Sequence, residues 1–363
     1  MRDSPGGSRD GHPWSVSGPS RPSTTIGLPL AIPRDDRPSL ANDPGARAVV
    51  VDPCVSSVPR RSGTLRRRAG SMRWARIVAC CGLLLAPARP VRGADPPRPL
   101  RVVTYNMLHG GFGLRGDGQH LEERLAMTIE ALRGLDVDLI GLQEASSGRR
   151  RGDVAGRLAT ALGLHHVRAP AGYRWVGRLA SWVMGFDEGP AVLSRFPIVA
   201  WNVIRLSSCD HWYGRVLLCA KLETPWGPLD ACSTHTGSST CQLRSLTRLL
   251  QGRRGRAPLI LMGDLNSTPD TSGVKHLLAD DGLVDTFRTA NPDVPGFTVW
   301  QPVRVEAPAA RRRVDYVLVA PGADAPVRVR ASRVILDQPG RGADGKALWP
   351  SDHYGVLSEV EVF

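Results

Sequence analysis

Six stretches of this chain end in, or carry, residue types that bind hard cations or move protons. Asp264 and Asn266 follow the apolar run 259–262 and Gly263. Positions two apart in an extended chain face the same way, so a carboxylate and an amide point together beyond the strand end. The carboxylate accepts a proton or holds a cation, and the amide hydrogen-bonds a phosphoryl oxygen. Asn106, Glu144 and His235 lie at the ends of three more apolar runs, and Asp352-His353 precede another. Asp315 stands inside Val314-Asp-Tyr-Val-Leu-Val319, where a bare carboxylate is costly unless paired or metal-bound. A histidine is its natural partner.

Each residue alone has an ordinary reading. Asn106 suits a turn, Glu144 and Asp352 suit helix caps, and Asp315 suits an ion pair with Arg311, Arg312 or Arg313. Their recurrence beside strands is what argues for a site. Strands are expected at 100–106, 138–144, 191–194, 215–222, 228–234, 259–262, 297–299, 314–319 and 354–360. Helical spacing is read at 121–132, 154–162, 243–250 and 274–278. Ser267-Thr268-Pro269 reads as a further helix start, with a hydroxyl cap and Pro at the first position. Strands outnumber helices and often run consecutively, which predicts α+β with antiparallel sheets.

The 363 residues carry a formal charge of +13. Residues 1–94 hold 15 of the 47 Lys+Arg and 6 of the 34 Asp+Glu, which leaves 32 and 28 for the remainder, a net of +4. The folded part is only mildly basic, so the overall charge is weak grounds for a nucleic-acid partner. Residues 1–71 are rich in Pro, Gly, Ser and Arg and are expected to be disordered. Arg73 and Arg76, the apolar run 77–88 and the small residues near Ala94 follow a signal-peptide pattern. The expected layout is therefore a leader at 72–94, translation from Met72 and an exported domain at 95–363. Cys209, Cys219, Cys232 and Cys241 fall in that domain, an even count that suggests two disulfides. Three connectivities are open.

Thr104-Tyr-Asn106, Leu142-Gln-Glu144, Ser233-Thr-His235, Gly263-Asp-Leu-Asn266, Val314-Asp-Tyr316 and Ser351-Asp-His353 resemble, in order, the motifs of the endonuclease/exonuclease/phosphatase superfamily. The resemblance spans about 100–363. It implies a four-layer α/β/β/α sandwich, with two mostly antiparallel sheets face to face and helices outside, and a metal-dependent phosphoester hydrolase. Residue by residue, it implies that Glu144 holds Mg²⁺ (or Mn²⁺), with Asn106 and Asp352 beside it. His353 is expected as general base, oriented by Asp315. Asp264 is expected to position water or metal, and Asn266 to bind the developing negative charge. His235 is expected to contact phosphate or protonate the leaving oxygen, with Glu188 as its carboxylate partner, and Arg215 to contact phosphate. Two departures touch the substrate side: Thr236-Gly237 follow His235, and Gln242 lacks an Arg three positions before it. His109, His165, His166 and His211 fit no motif.

Tyr173 to Phe186 places Trp175, Leu179, Trp182, Val183 and Phe186 at helical spacing, with Arg174 and Arg178 near. This suits either a helix on the core or a lip for peripheral membrane contact. The first expectation is an exported monomer that hydrolyses a phosphoester, on a phospholipid or sphingolipid headgroup. An extracellular nuclease with Arg149–Arg151 and Arg253–Arg256 along a groove is the second. A non-catalytic lipid-anchor or membrane module of the same fold is the third.

Overall fold

A computed structural model describes residues 98–109, 119–171, 181, 183, 185–209, 214–253, 255, 257–323 and 325–363. The expected leader, the extension before it, His211 and most of 173–184 lie outside these residues.

The elements in chain order are β1 (Leu100–Asn106), α1 (Leu121–Gly134), β2 (Leu139–Gln143), β3 (Ser147–Gly148), β4 (Gly152–Asp153), α2 (Val154–Leu162), β5 (His165–Arg168), β6 (Ala191–Ser194), β7 (Ile198–Arg205), β8 (Val216–Thr224) and β9 (Gly227–His235). They continue with α3 (Thr240–Gln251), β10 (Leu259–Asp264), α4 (Ser272–Asp281), β11 (Val284–Asp285), α5 (Thr286–Ala290), β12 (Asp315–Ala320), β13 (Val327–Ile335), β14 (Gly340–Arg341), β15 (Ala347–Leu348) and β16 (Gly355–Val362). One six-stranded sheet has the order β13-β16-β1-β2-β6-β5, and the other β11-β12-β10-β9-β8-β7. Each holds a single parallel pair, β1 with β2 and β9 with β10, among antiparallel neighbours.

Side-chain alternation along the strands builds the layers. Val102, Leu139, Val192, Leu218, Ala231, Ile260, Met262 and Val317 face inward and meet between the sheets. Val103, Tyr105, Ile140 and Leu142 face the other way and are covered by Leu121, Leu125 and Leu132 of α1 and Leu158 of α2. Leu217, Leu261 and Leu318 are covered by Leu243, Leu246 and Leu250 of α3 and Val274 and Leu277 of α4. The central strands are therefore buried on both faces, which explains their continuous apolar runs. Gly141 sets the spacing: a Cβ there would stand 2.3 Å from Cβ of Met262 on the opposite sheet.

The four-layer sandwich is as expected, with some local differences. Ser267-Thr268-Pro269 open a turn, not a helix, and α4 starts at Ser272 after Thr271. The Thr271 hydroxyl donates back to Thr268 O (2.7 Å), closing that turn. Residues 297–299 form isolated bridges from Val299 to Arg312 and His353 rather than a strand. Strands β7 and β13 lie at sheet edges, where apolar and exposed polar residues mix and no clean run marks them. Cys209 bonds Cys241 and Cys219 bonds Cys232. The second bridge links residues directly opposed across β8 and β9. Among the described residues, no helix is long and apolar enough to cross a membrane.

Candidate active site

The sheet topology gathers the polar residues on one edge. β1 and β2 run parallel, so Asn106 and Glu144 leave the first sheet at the same end. β16 runs antiparallel to β1, which returns Asp352 and His353 to that end. In the second sheet Asp264 is in register with His235 on one side and Asp315 on the other. Residues separated by up to 247 positions thus share one pocket edge, between two parallel strand pairs and their antiparallel neighbours.

Asn106 Nδ2 donates to Glu144 Oε1 (3.3 Å) and to Asp264 Oδ2 (3.0 Å), so one amide ties the two sheets' carboxylates together. Its Oδ1 accepts from the Leu108 amide (3.1 Å). Asn106 therefore acts as a tether in this arrangement, with its oxygen accepting from the backbone. Glu144 and Asn266 adopt left-handed backbone (φ 54° and 48°), a conformation costing non-glycine residues about 1–3 kcal/mol. The Asn266 backbone N–H donates to Asp264 Oδ1 (2.8 Å), which helps hold that shape.

His353 Nδ1 lies 2.9 Å from Asp315 Oδ2, and Nε2 lies 3.8 Å from Asp264 Oδ2. The expected carboxylate–histidine pair is present, while Arg313 turns away to pair with Asp285 (2.6 Å). Burial would lower the His353 pKa, but the charges of Asp315 and Asp264 outweigh it and push it up to about 10. Burial and the Asp315 charge push Asp264 up to about 7, against the pull of His353.

His235 differs. Arg215 Nη1 lies 2.9 Å from its Nδ1 and can only donate, so Nδ1 accepts and the ring proton sits on Nε2. That edge donates to Asp264 Oδ2 at 3.3 Å, while Asn266 Nδ2, itself a donor, stands 2.9 Å from it and donates to Thr236 O (2.9 Å). Burial and the Arg215 charge hold His235 well below its ordinary pKa, in the neutral form. Glu188 is not its direct partner: Glu188 Oε1 accepts from Arg215 (3.4 Å), and the arginine stands between them. Arg215 is accordingly engaged with the protein, rather than presented freely to phosphate. From the protein groups alone, His353 is the cationic histidine and His235 the neutral one.

Three further residues belong to the site. His109 Nδ1 lies 2.5 Å from Glu144 Oε2, and its backbone amide donates to the same oxygen (3.3 Å). Burial would push the Glu144 carboxyl up, yet the His109 hydrogen bond and the surrounding imidazoles hold it well below its usual range. Arg124 is buried and donates to the carbonyls of Met107 (2.8 Å), Leu108 (2.8 Å) and Pro350 (3.0 Å), joining the chain after Asn106 to the chain before Asp352. It lies on the helical stripe with Leu121, Leu125 and Thr128, so an arginine on an apolar face was the available signal. His109 gave none beyond lying three residues after Asn106. Trp300 donates its Nε1–H to Asp352 Oδ2 (3.1 Å).

The residues around the motifs explain the departures. Gln242 is buried, and its Oε1 accepts from the Gly237 amide (2.6 Å), fixing the turn after His235. Phe186 is buried, with the Arg151 guanidinium 4.9 Å from its ring centroid, so neither extends an exposed lip or a basic groove.

The donor set fits a hard divalent cation. Every cysteine among the described residues is in a disulfide, and the pocket offers carboxylates and imidazoles. Burial and the Glu144 charge raise the Asp352 pKa against the pull of His353, the mark of carboxylates sharing low-dielectric space. A cation between them would relieve that repulsion. Asp264, Asp315 and His353 form a second group, with ligand atoms within 4.8 Å of one another. There His353 Nδ1 is already tied to Asp315, 2.9 Å away.

The Endonuclease/Exonuclease/phosphatase family model matches residues 103–353. An endonuclease/exonuclease/phosphatase family protein from Bacteroides thetaiotaomicron has a TM-score of 0.58 at 20% identity, over 74% of this chain and 99% of its own. A mannosyl-6-phosphatase from the same organism gives 0.55 at 19% identity, over 72% and 99%. The human Nocturnin catalytic domain with bound sulfate gives 0.55 at 22%, over 73% and 94%. No curated protein matches the chain. At these identities the structures establish a common fold. The family match, with the fold and the six motifs gathered on one edge, shows that the chain belongs to the endonuclease/exonuclease/phosphatase family, whose members are phosphoesterases.

Proposed function

We propose that the protein is an exported, Mg²⁺-dependent phosphoester hydrolase. The observation that carries this reading is the Asn106 amide bridging Glu144 and Asp264, which joins the two sheets' carboxylates beside two histidines of opposite protonation. Glu144 and Asp352 would hold the cation, which would polarise a phosphoryl oxygen and offset charge in the transition state. Mn²⁺ suits the same oxygen donors.

The chain's own groups then divide the work. Asp264, with a proton affinity near neutrality, receives the proton of the attacking water. His353, held cationic by Asp315, places positive charge beside the phosphoryl group. His235 presents Nε2–H, and Asn266 its amide, to the same oxygens. Arg215 and Glu188 keep His235 in that tautomer.

Export is supported by the two disulfides, which persist in oxidising compartments, and by the leader pattern of 72–94. The favoured substrates are small phosphoesters, phospholipid or sphingolipid headgroups among them. The neighbour named as a mannosyl-6-phosphatase supports a phosphoester as the substrate class. The protein acts as a monomer in this reading.

The test is a substrate panel on the purified chain with Mg²⁺ or EDTA: a chromogenic phosphodiester, sphingomyelin, phosphatidylcholine, inositol phosphates, hexose phosphates and plasmid DNA. Mg²⁺-dependent hydrolysis that Asp264→Asn and His353→Ala each lower by about 10²-fold or more is expected. Unchanged turnover in both variants overturns the reading. Cleavage of plasmid DNA alone would make the protein a nuclease instead.

A further inference from the structure

Trp300 is 64% exposed, although it is among the largest apolar side chains in the protein. It is also fixed. Its Nε1–H donates to Asp352 Oδ2 (3.1 Å), and the next residue's amide donates to Asp352 O (2.8 Å). The preceding residue, Val299, bridges His353 and Arg312 and is buried. The chain from 299 to 301 is therefore clipped to the backbone that carries Asp352 and His353. An N–H donor lies in the plane of the indole, so the carboxylate holds the ring by its edge and does not cover its faces.

Ordering an exposed indole beside a site gives the free protein little burial in return. It does supply a rigid aromatic surface next to the group that would receive a phosphoester. Trp300 is anchored by its edge to a site carboxylate, which suits a ligand group that meets the ring's open face.

Building on the phosphoesterase reading, we propose that Trp300 is a substrate-contact residue that stacks on the alcohol portion of the phosphoester. The preferred alcohols carry a ring face: an aromatic ring, a heterocyclic base or the C–H face of a sugar. These share the chemistry of a flat, polarisable or apolar face presented to indole.

Binding is measured calorimetrically on the full chain with Ca²⁺, apart from any turnover. The ligands are phenyl phosphate, thymidine 5′-phosphate, glucose 6-phosphate and, as the ring-free reference, glycerol 2-phosphate. The wild type is expected to bind at least one ringed ester about ten-fold more tightly than the reference, as single stacking contacts do. Trp300→Phe keeps most of that preference and Trp300→Ala abolishes it, with glycerol 2-phosphate affinity little changed. Which ringed ester gains most tells base from sugar. Equal affinity for all four ligands, no binding of any, or a preference that survives Trp300→Ala overturns the proposal. Hydrolysis of a chromogenic diester is followed separately. A Trp300-dependent ring preference without hydrolysis would leave this contact standing while removing the phosphoesterase reading.

Discussion

His353 Nδ1 lies 2.9 Å from Asp315 Oδ2, and neither group would be tolerable in that interior without the other. The folded pKa of His353, about 10, is above its ordinary value of 6.5. Its stabilising contribution is therefore complete below about 6.5 and is lost as pH rises through about 10. Asp264 acts in the same direction, because the fold keeps its proton up to about 7 while the unfolded chain releases it near 4. Thermal melts in EDTA are expected to fall by several degrees between pH 5 and 10. Asp315→Asn should flatten the limb between 6.5 and 10. Parallel curves for the two proteins would refute this account.

Glu144 is held from behind by His109, at 2.5 Å, while its other oxygen meets the Asn106 amide. Glu144→Gln should lower turnover by at least about 10²-fold and remove the rise in melting temperature on adding Mg²⁺. His109→Ala leaves the ligand in place but unanchored, and should weaken Mn²⁺ binding by roughly ten-fold. Electron paramagnetic resonance titration of free Mn²⁺ reads this without turnover. Wild-type affinity in His109→Ala would show that Glu144 needs no such support.

The bridge between Cys219 and Cys232 closes 13 residues, and that between Cys209 and Cys241 closes 32. Chain-entropy arguments give about 3 and 4 kcal/mol respectively. Replacing Cys209 and Cys241 together by Ser should cost slightly more than replacing the cross-strand pair. Urea titration of the two double variants decides. Equal midpoints with the wild type would mean neither bridge constrains the unfolded chain.

Gly141 and Met262 approach across the two sheets, where an added Cβ would stand 2.3 Å from the methionine's. Gly141→Ala should cost about 2 kcal/mol or more, because β2 carries Glu144 and cannot retreat alone. Activity should fall with stability in turnover and urea measurements, and unchanged values of both would show that the two sheets can separate at this point.

The motifs were legible because each side chain that does chemistry interrupts or ends a buried apolar run. Asp315 is the clearest case: a lone carboxylate in a six-residue buried strand called for a partner, and His353 is that partner. The helices over α1 to α4 showed through their 3.6-residue period. Edge strands β7 and β13 did not show, since exposure on one side removes the run. Trp300 and His109 carry no periodic signal, and their roles come from what they touch.

Apolar patterning alone determined an α+β domain with antiparallel strands and the order of the polar motifs, because burial writes itself into such patterns, while the four-layer sandwich and the donor roles came from what those motifs resemble. Tertiary structure decided which donors meet. It paired Cys209 with Cys241, set Arg215 between Glu188 and His235, and turned the Asn106 oxygen to backbone. It also decided which histidine is charged. That depends on through-space fields over a few ångströms, between residues that are tens or hundreds of positions apart in the chain.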